Sequence, residues 1–234
     1  MSTSETEDPL LMKVPFGRSM RETHFLYDPR YNPLNHGSFG AYPKYVQRRF
    51  QEVQQQCESH PDIFIRYEYP QLLKESREAI SDYLQVPADD VVLLPNASVA
   101  VNTVLRNLVF TKGDVIVHFS TVYGGVAKLI ESLRETTPVI SASAKITYPL
   151  PDDEVVSKFL ETIHACKAAG QIPRIAIFDT ISSMPGVVMP WERLTQVCKD
   201  EGILSFVDAA HGAGHLPLDI AGVQPDFLVT NLHK

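Results

Sequence analysis

The stretch Ile203-Leu204-Ser205-Phe206-Val207-Asp208-Ala209-Ala210-His211 decides the fold. A nearly continuous apolar run that stops at an acid followed by two small residues reads as a strand covered on both faces. Working outward, similar runs at 91–94, 114–119, 175–179 and 227–230 are further strand candidates. The amphipathic stretches 98–109, 125–135, 153–169 and 190–201 fall between or beside them as helices. Strand–helix alternation demands crossovers, so residues 91–234 are expected to form a doubly wound α/β domain, a mostly parallel sheet with flanking helices. Upstream, four prolines and no clear period mark residues 1–34 as an irregular arm, and Asn35-His36-Gly37-Ser38-Phe39-Gly40 as a turn-rich loop. Residues 35–90 form a helical segment, with helices expected at 44–57 and 69–86.

Composition narrows the function classes. With 234 residues, 44% hydrophobic and 21% charged, the chain has the balance of an ordinary globular protein. A net charge of -7 argues against binding to a phosphate backbone, which relies on clustered Lys and Arg. Cys57, Cys166 and Cys198 are far apart and lack CxxC spacing, so reduced structural thiols are expected rather than a metal or redox site. The acidic N-terminus has no basic-then-apolar signal pattern, and no apolar run reaches spanning length; the expectation is a cytoplasmic protein with no membrane partner.

In open α/β sheets, ligands sit beyond the carboxyl ends of the strands. There the sequence places Asn96-Ala97-Ser98, Tyr123-Gly124-Gly125, the loop from Asp179 to Gly186 with its tight turn Ser182-Ser183-Met184-Pro185-Gly186, Asp208 with His211, and Asn231-Leu232-His233-Lys234. Asn96-Ala97-Ser98 opens a helix, where free amides and the helix dipole suit a phosphate; a plain helix cap is the alternative. Tyr123 could lie flat on a planar ring and give a proton to a leaving group, or simply cover a glycine turn. The serines of 182–183 could reach a cofactor oxygen or satisfy their own turn. His211 and His215 have the spacing of a zinc pair, but Gly212, Gly214 and Pro217 argue against a helix, so no metal is expected. Lys234 follows the strand-end Asp208 by about one further strand unit. An amine nucleophile paired with an acid able to hold a pyridine nitrogen protonated reads as a pyridoxal phosphate site.

Taken together, these motifs resemble the class V aminotransferase family of fold-type I pyridoxal phosphate enzymes. The opening Asn35-His36-Gly37-Ser38-Phe39-Gly40 and the Val122-Tyr123-Gly124-Gly125 loop are most similar to the branch with isopenicillin N epimerase-like proteins, hercynylcysteine sulfoxide lyases and loline-pathway epimerase-like proteins. The resemblance implies the following roles. Lys234 carries the covalent imine to the cofactor and then moves the Cα proton, and Asp208 pairs with the pyridinium nitrogen. His211 contacts the ring oxygen, while Ala97, Ser98, Asn231 and His233 surround the phosphate. Tyr123 stacks on the ring and acts as acid to departing sulfur. His36 and Arg66 are the candidate contacts for an amino-acid substrate, with a surface or interface salt bridge as the alternative for Arg66, and a homodimer with sites at its interface is implied. The expected reaction is β-elimination at a C–S bond of a cysteine-derived sulfoxide or of cysteine itself, as in cysteine desulfurases. The alternatives are an amino-acid epimerase of secondary metabolism and a non-catalytic fragment. The resemblance implies a chain that continues past the lysine into a smaller C-terminal domain, which would supply a substrate-carboxylate arginine and is not among these 234 residues. A carboxylate following Lys234 directly would favour the protonated amine.

Overall fold

Short helices carry the first part of the chain: α1 (Arg18–His24), α2 (His36–Phe39), α3 (Lys44–Ser59), α4 (Pro61–Ile63) and α5 (Tyr69–Leu84), with a π-helical turn at Phe64–Glu68. The computed structural model describes residues 8–234, and these fall into two compact units, one of residues up to 79 together with 233–234 and one of residues 80–232. In the first unit α1 occupies part of the segment expected to be irregular, and α2 lies within the expected loop. Side chains substitute for regular structure around them. His24 Nε2 is 2.9 Å from the Met12 carbonyl, and the Arg21 guanidinium donates to Asn32 Oδ1 (2.9 Å) and to the Asp28 carbonyl (2.6 Å). Arg48 on α3 pairs with Asp8.

The second unit is the α/β domain. After α6 (Ala97–Asn107), strands β1 (Asp114–Phe119), β2 (Ile140–Ala144), β3 (Ile172–Asp179), β4 (Leu204–Ala209) and β5 (Phe227–Thr230) alternate with α7 (Gly124–Thr136), α8 (Asp152–Ala168), α9 (Trp191–Glu201) and the short α10 (Ile220–Val223). The strands pair in the order β2-β1-β3-β4-β5, and every pairing is parallel. Winding goes one way from β1 to β2 and the other way from β3 to β5, so the order reverses between β1 and β3.

Helices cover both faces because the strands are apolar on both. On one side Ile116, Ile175, Ile177, Phe206 and Val229 meet Val101 and Leu105 of α6 and Val126, Leu129, Ile130 and Leu133 of α7. On the other, Val117, Phe119, Ala176, Phe178 and Val207 meet Val155, Phe159 and Ile163 of α8 and Trp191, Leu194 and Cys198 of α9. The helical spacings of three and four residues put each apolar set on one face. Local signals fix the helix ends: Asn96 Oδ1 accepts the Val99 amide at 2.9 Å, three acids occupy the first turn of α8, and Gly202 closes α9 with φ 70°.

Phe159 centres the second layer. Its ring stacks on Phe119 at 5.4 Å and meets Phe178 edge-on at 5.8 Å, fully buried. Phe159→Ala is expected to cost about 3–5 kcal/mol, read as a lowered midpoint in urea unfolding.

One strand expectation is corrected, and one strand was not expected. Residues 91–94 form no strand and join no sheet among the described residues, and Val92 is 72% exposed. A β-branched run becomes a strand only when a neighbouring edge accepts its amides and carbonyls. Conversely, β2 reads Ile140-Ser141-Ala142-Ser143-Ala144, too small and polar to stand out, yet it pairs along β1.

Candidate functional site

The carboxyl ends of β3, β4 and β5 gather polar residues on one side of the sheet. Side chains alternate along a strand, so Asp179 follows Ile175 and Ile177 onto the α6–α7 side, and Asp208 follows Phe206 there. Asp179 and Asp208 are register partners on neighbouring strands, each 5% exposed. Asn231, one residue past β5, is buried on the same side, where its Oδ1 accepts the Ala97 amide of α6 at 3.3 Å. The starts of α6 and α7 therefore open over the rim that holds the two acids.

Both helix starts have a distinct local cause. At α6, Asn96 and Asn231 accept the Val99 and Ala97 amides, and exposed Ser98 keeps its amide and hydroxyl uncommitted among the described residues. The segment is thus a capped helix that leaves Ser98 as an uncommitted first-turn donor. At α7, Tyr123 precedes Gly124-Gly125 and its ring folds over Gly125: a Cβ there would lie 2.8 Å from Tyr123 Cε1. Only glycine admits the ring in that position. Tyr123 remains about half exposed.

The electrostatics centre on the acid pair. Burial first, and then the Asp208 charge, push the Asp179 carboxyl well above the usual range for an aspartate. Asp208 Oδ1 accepts the Ala210 amide at 3.0 Å. On β1 of the same side, His118 holds Nδ1 2.9 Å from the Phe119 carbonyl, and burial lowers its affinity for a proton. The sequence places Asp179 at a strand end on the rim, as it does Asp208, but assigns it no role. The signal was available, since Ile175-Ala176-Ile177-Phe178-Asp179 ends as Phe206-Val207-Asp208 does, but only the sheet register makes the two acids neighbours.

The remaining candidates sort as follows. His211 lies half-buried in the turn after β4. Gly212 in that turn packs too closely for a side chain, since a Cβ would sit 2.9 Å from that of Ala209 and 3.1 Å from Thr180 Oγ1. His215 is exposed, and no His, Cys, Asp and Glu cluster among the described residues could hold a metal. The Ser182 hydroxyl donates to the Pro185 carbonyl inside its own loop, so the turn uses it. His36, Arg66, His233 and Lys234 belong to the first unit. There the His36 ring closes over Gly40 and its Nδ1 lies 3.2 Å from the Tyr27 hydroxyl, which also accepts the Ala41 amide. Arg66 is exposed in the π-helical turn and makes no ion pair among the described residues. Lys234 is four residues past Thr230, the last of β5.

The family model described as Aminotransferase class-V matches residues 64–234. Among curated relatives, an L-cysteine desulfhydrase-like protein (lolT1) of Epichloe uncinata is 36% identical over 222 residues, covering 95% of this chain and 49% of that protein. Hercynylcysteine sulfoxide lyase of Schizosaccharomyces pombe is 30% identical over 225 residues, covering 94% and 54%. The chain spans about half the length of the curated relatives it matches. Among solved structures, the cystine C–S lyase C-DES in complex with its product cysteine persulfide superimposes with a TM-score of 0.76 at 19% identity, covering 86% of this chain and 52% of that one. The likeness is one of fold. No helix among the described residues is long and apolar enough to cross a membrane.

Proposed function

Because the chain belongs to the class-V aminotransferase family, we propose that it binds pyridoxal 5'-phosphate and takes part in β-elimination at the C–S bond of a cysteine-derived amino acid. One observation carries the reading: a buried acid, Asp208, ends a central strand on the side of the sheet where α6 and α7 begin. Strands are about 4.8 Å apart, so the rim from β5 to β1 runs about 14 Å, room for a phosphorylated pyridine. The donor set fits the group. Asp208 would hold the ring nitrogen protonated, and Ser98, with the start of α6 set by Asn231 and Ala97, would take the phosphate. Tyr123, free of a Cβ beneath it at Gly125, would cover the ring, and His211 would meet its phenolic oxygen. When bound, the cofactor supplies an electron sink for a carbanion at the substrate Cα.

The chain's own groups would do the rest. Lys234 would hold the cofactor and move the Cα proton; Tyr123 would deliver a proton to the departing sulfur; His233 would support the phosphate, and His36 and Arg66 would meet the substrate. For a cysteine sulfoxide, elimination breaks the Cβ–S bond and, with one water, yields a sulfenic acid, pyruvate and ammonia. The names of the relatives, a desulfhydrase-like protein and a sulfoxide lyase, favour sulfur as the leaving group. A homodimer is part of the reading. In the first unit Phe39, Tyr42, Ile65 and Tyr67 are each more than half exposed, an apolar surface that a second copy would cover.

The test is product analysis with pyridoxal phosphate and S-substituted cysteine sulfoxides in deuterated water. Equimolar pyruvate and ammonia are expected. Cα deuterium exchange without pyruvate would turn the reading to epimerisation, and neither product nor exchange would contradict catalysis by this chain. Gly125→Ala tests the ring contact separately. Displacing Tyr123 removes about 0.5–1.5 kcal/mol of stacking, so a two- to tenfold weaker cofactor affinity is expected by absorbance titration.

A further inference from the structure

Two buried acids stand side by side at the rim, and the proposed chemistry uses only one. Asp179 and Asp208 end adjacent parallel strands in register, so their Cα atoms are about 5 Å apart and their side chains leave the same face. Both are 95% removed from solvent. Two carboxylates this close and this dry cannot both remain ionised at ordinary cost, because at 5 Å their repulsion is about 3 kcal/mol even with an effective dielectric constant near 20. The surroundings are not symmetric. Asp208 accepts the Ala210 amide, a donor that favours its anion, whereas the backbone amide acting on Asp179 is its own.

We propose that the pair holds one proton at neutral pH, seated on Asp179, which makes Asp179 the positioning residue that leaves Asp208 as the single anion aimed at the rim. The role toward a cofactor nitrogen rests on the pyridoxal phosphate reading; the protonation itself does not. The charged and titratable groups near Asp179 are consistent with a neutral acid there. Asp208 faces it from β4, and His118 stands on the same side of β1, its proton affinity lowered by burial. The Tyr148 phenol, which donates to Met189 Sδ, is held above its usual range by burial and by Asp152 and Asp179. On the overlying helices Arg106 and Lys128 are exposed, Lys128 in an ion pair with Glu131.

The sign of the linkage follows. Asp179 in the folded chain binds its proton above the unfolded range of about 4, so its contribution to stability is complete below that range and is lost as pH rises through the folded value. Asp179→Asn removes the loss, and the variant is expected to gain stability over the parent as pH rises above about 4 in urea unfolding.

The deciding experiment is infrared spectroscopy of the full chain, without cofactor, labelled with carboxyl-13C aspartate. A protonated-carboxyl band is expected at neutral pH, absent from Asp179→Asn. In Asp208→Asn, the band is expected to titrate about one to two pH units lower, because the neighbouring charge is gone. A band that survives in Asp179→Asn, or whose midpoint does not move in Asp208→Asn, overturns the proposal. Should Asp179→Asn fail to fold, the parent and Asp208→Asn titrations decide alone. Adding pyridoxal phosphate separates the two readings: a pair that behaves as expected in a chain that binds no cofactor overturns the cofactor reading and leaves the shared proton standing.

Discussion

Lys234→Ala is expected to abolish the visible absorbance band that the chain develops with pyridoxal phosphate and to lower turnover of a cysteine sulfoxide by at least about 10²–10⁴-fold. The lower bound is the part of rate enhancement that a positioned acid–base group supplies. Lys234 is expected to supply the covalent anchor as well, so the loss exceeds that of a base alone. Residual noncovalent affinity is expected to persist in this variant, because the phosphate and ring contacts proposed for Ser98, Tyr123 and Asp208 do not involve the lysine. A band of unchanged intensity in Lys234→Ala would move the anchor to another amine.

The second large effect belongs to Asp208. A carboxylate beside a cation shifts its proton affinity by about 1–3 units, so Asp208→Asn is expected to lose that much stabilisation of the protonated ring nitrogen and about 10–10³-fold in turnover. The variant also removes the charge that disfavours ionisation of Asp179. Asp208→Asn is therefore expected to slow turnover without unfolding the sheet, since Asp208 Oδ1 has the Ala210 amide as partner and an asparagine oxygen can accept the same bond. Circular dichroism alongside the rate measurement separates the two. A Phe159→Ala control, which attacks the opposite face of the sheet, is expected to show the reverse, lowered stability with the rim unchanged.

Strand–helix alternation was legible wherever a strand is buried on both faces. β1 and β5 fall where their apolar runs fall, and β4 and the four long helices of the sheet unit match within two residues at either end. β2 was not, because a strand flanked by only one partner can be built from serine and alanine; its period of two, Ile140, Ala142 and Ala144 against the α8–α9 side, was the available signal. Residues 91–94 failed in the opposite sense, because local β-propensity cannot supply a neighbouring strand. At the rim, Asp208, Asn231, Tyr123 and Ser98 could be placed from sequence, since each follows a strand or opens a helix. What sequence could not give was pairing across strands. Asn231 reaches the Ala97 amide from 134 residues away, and Asp179 gains its meaning from Asp208 alongside it.

The central claim is a covalent bond between Lys234 and pyridoxal phosphate. Incubating the chain with the cofactor, reducing with borohydride, digesting, and locating the pyridoxyl group by mass spectrometry tests it most directly. Label on Lys234, prevented by Lys234→Ala, is the expected result. Label distributed over other lysines such as Lys44, Lys112 and Lys199, with none on Lys234, would contradict it.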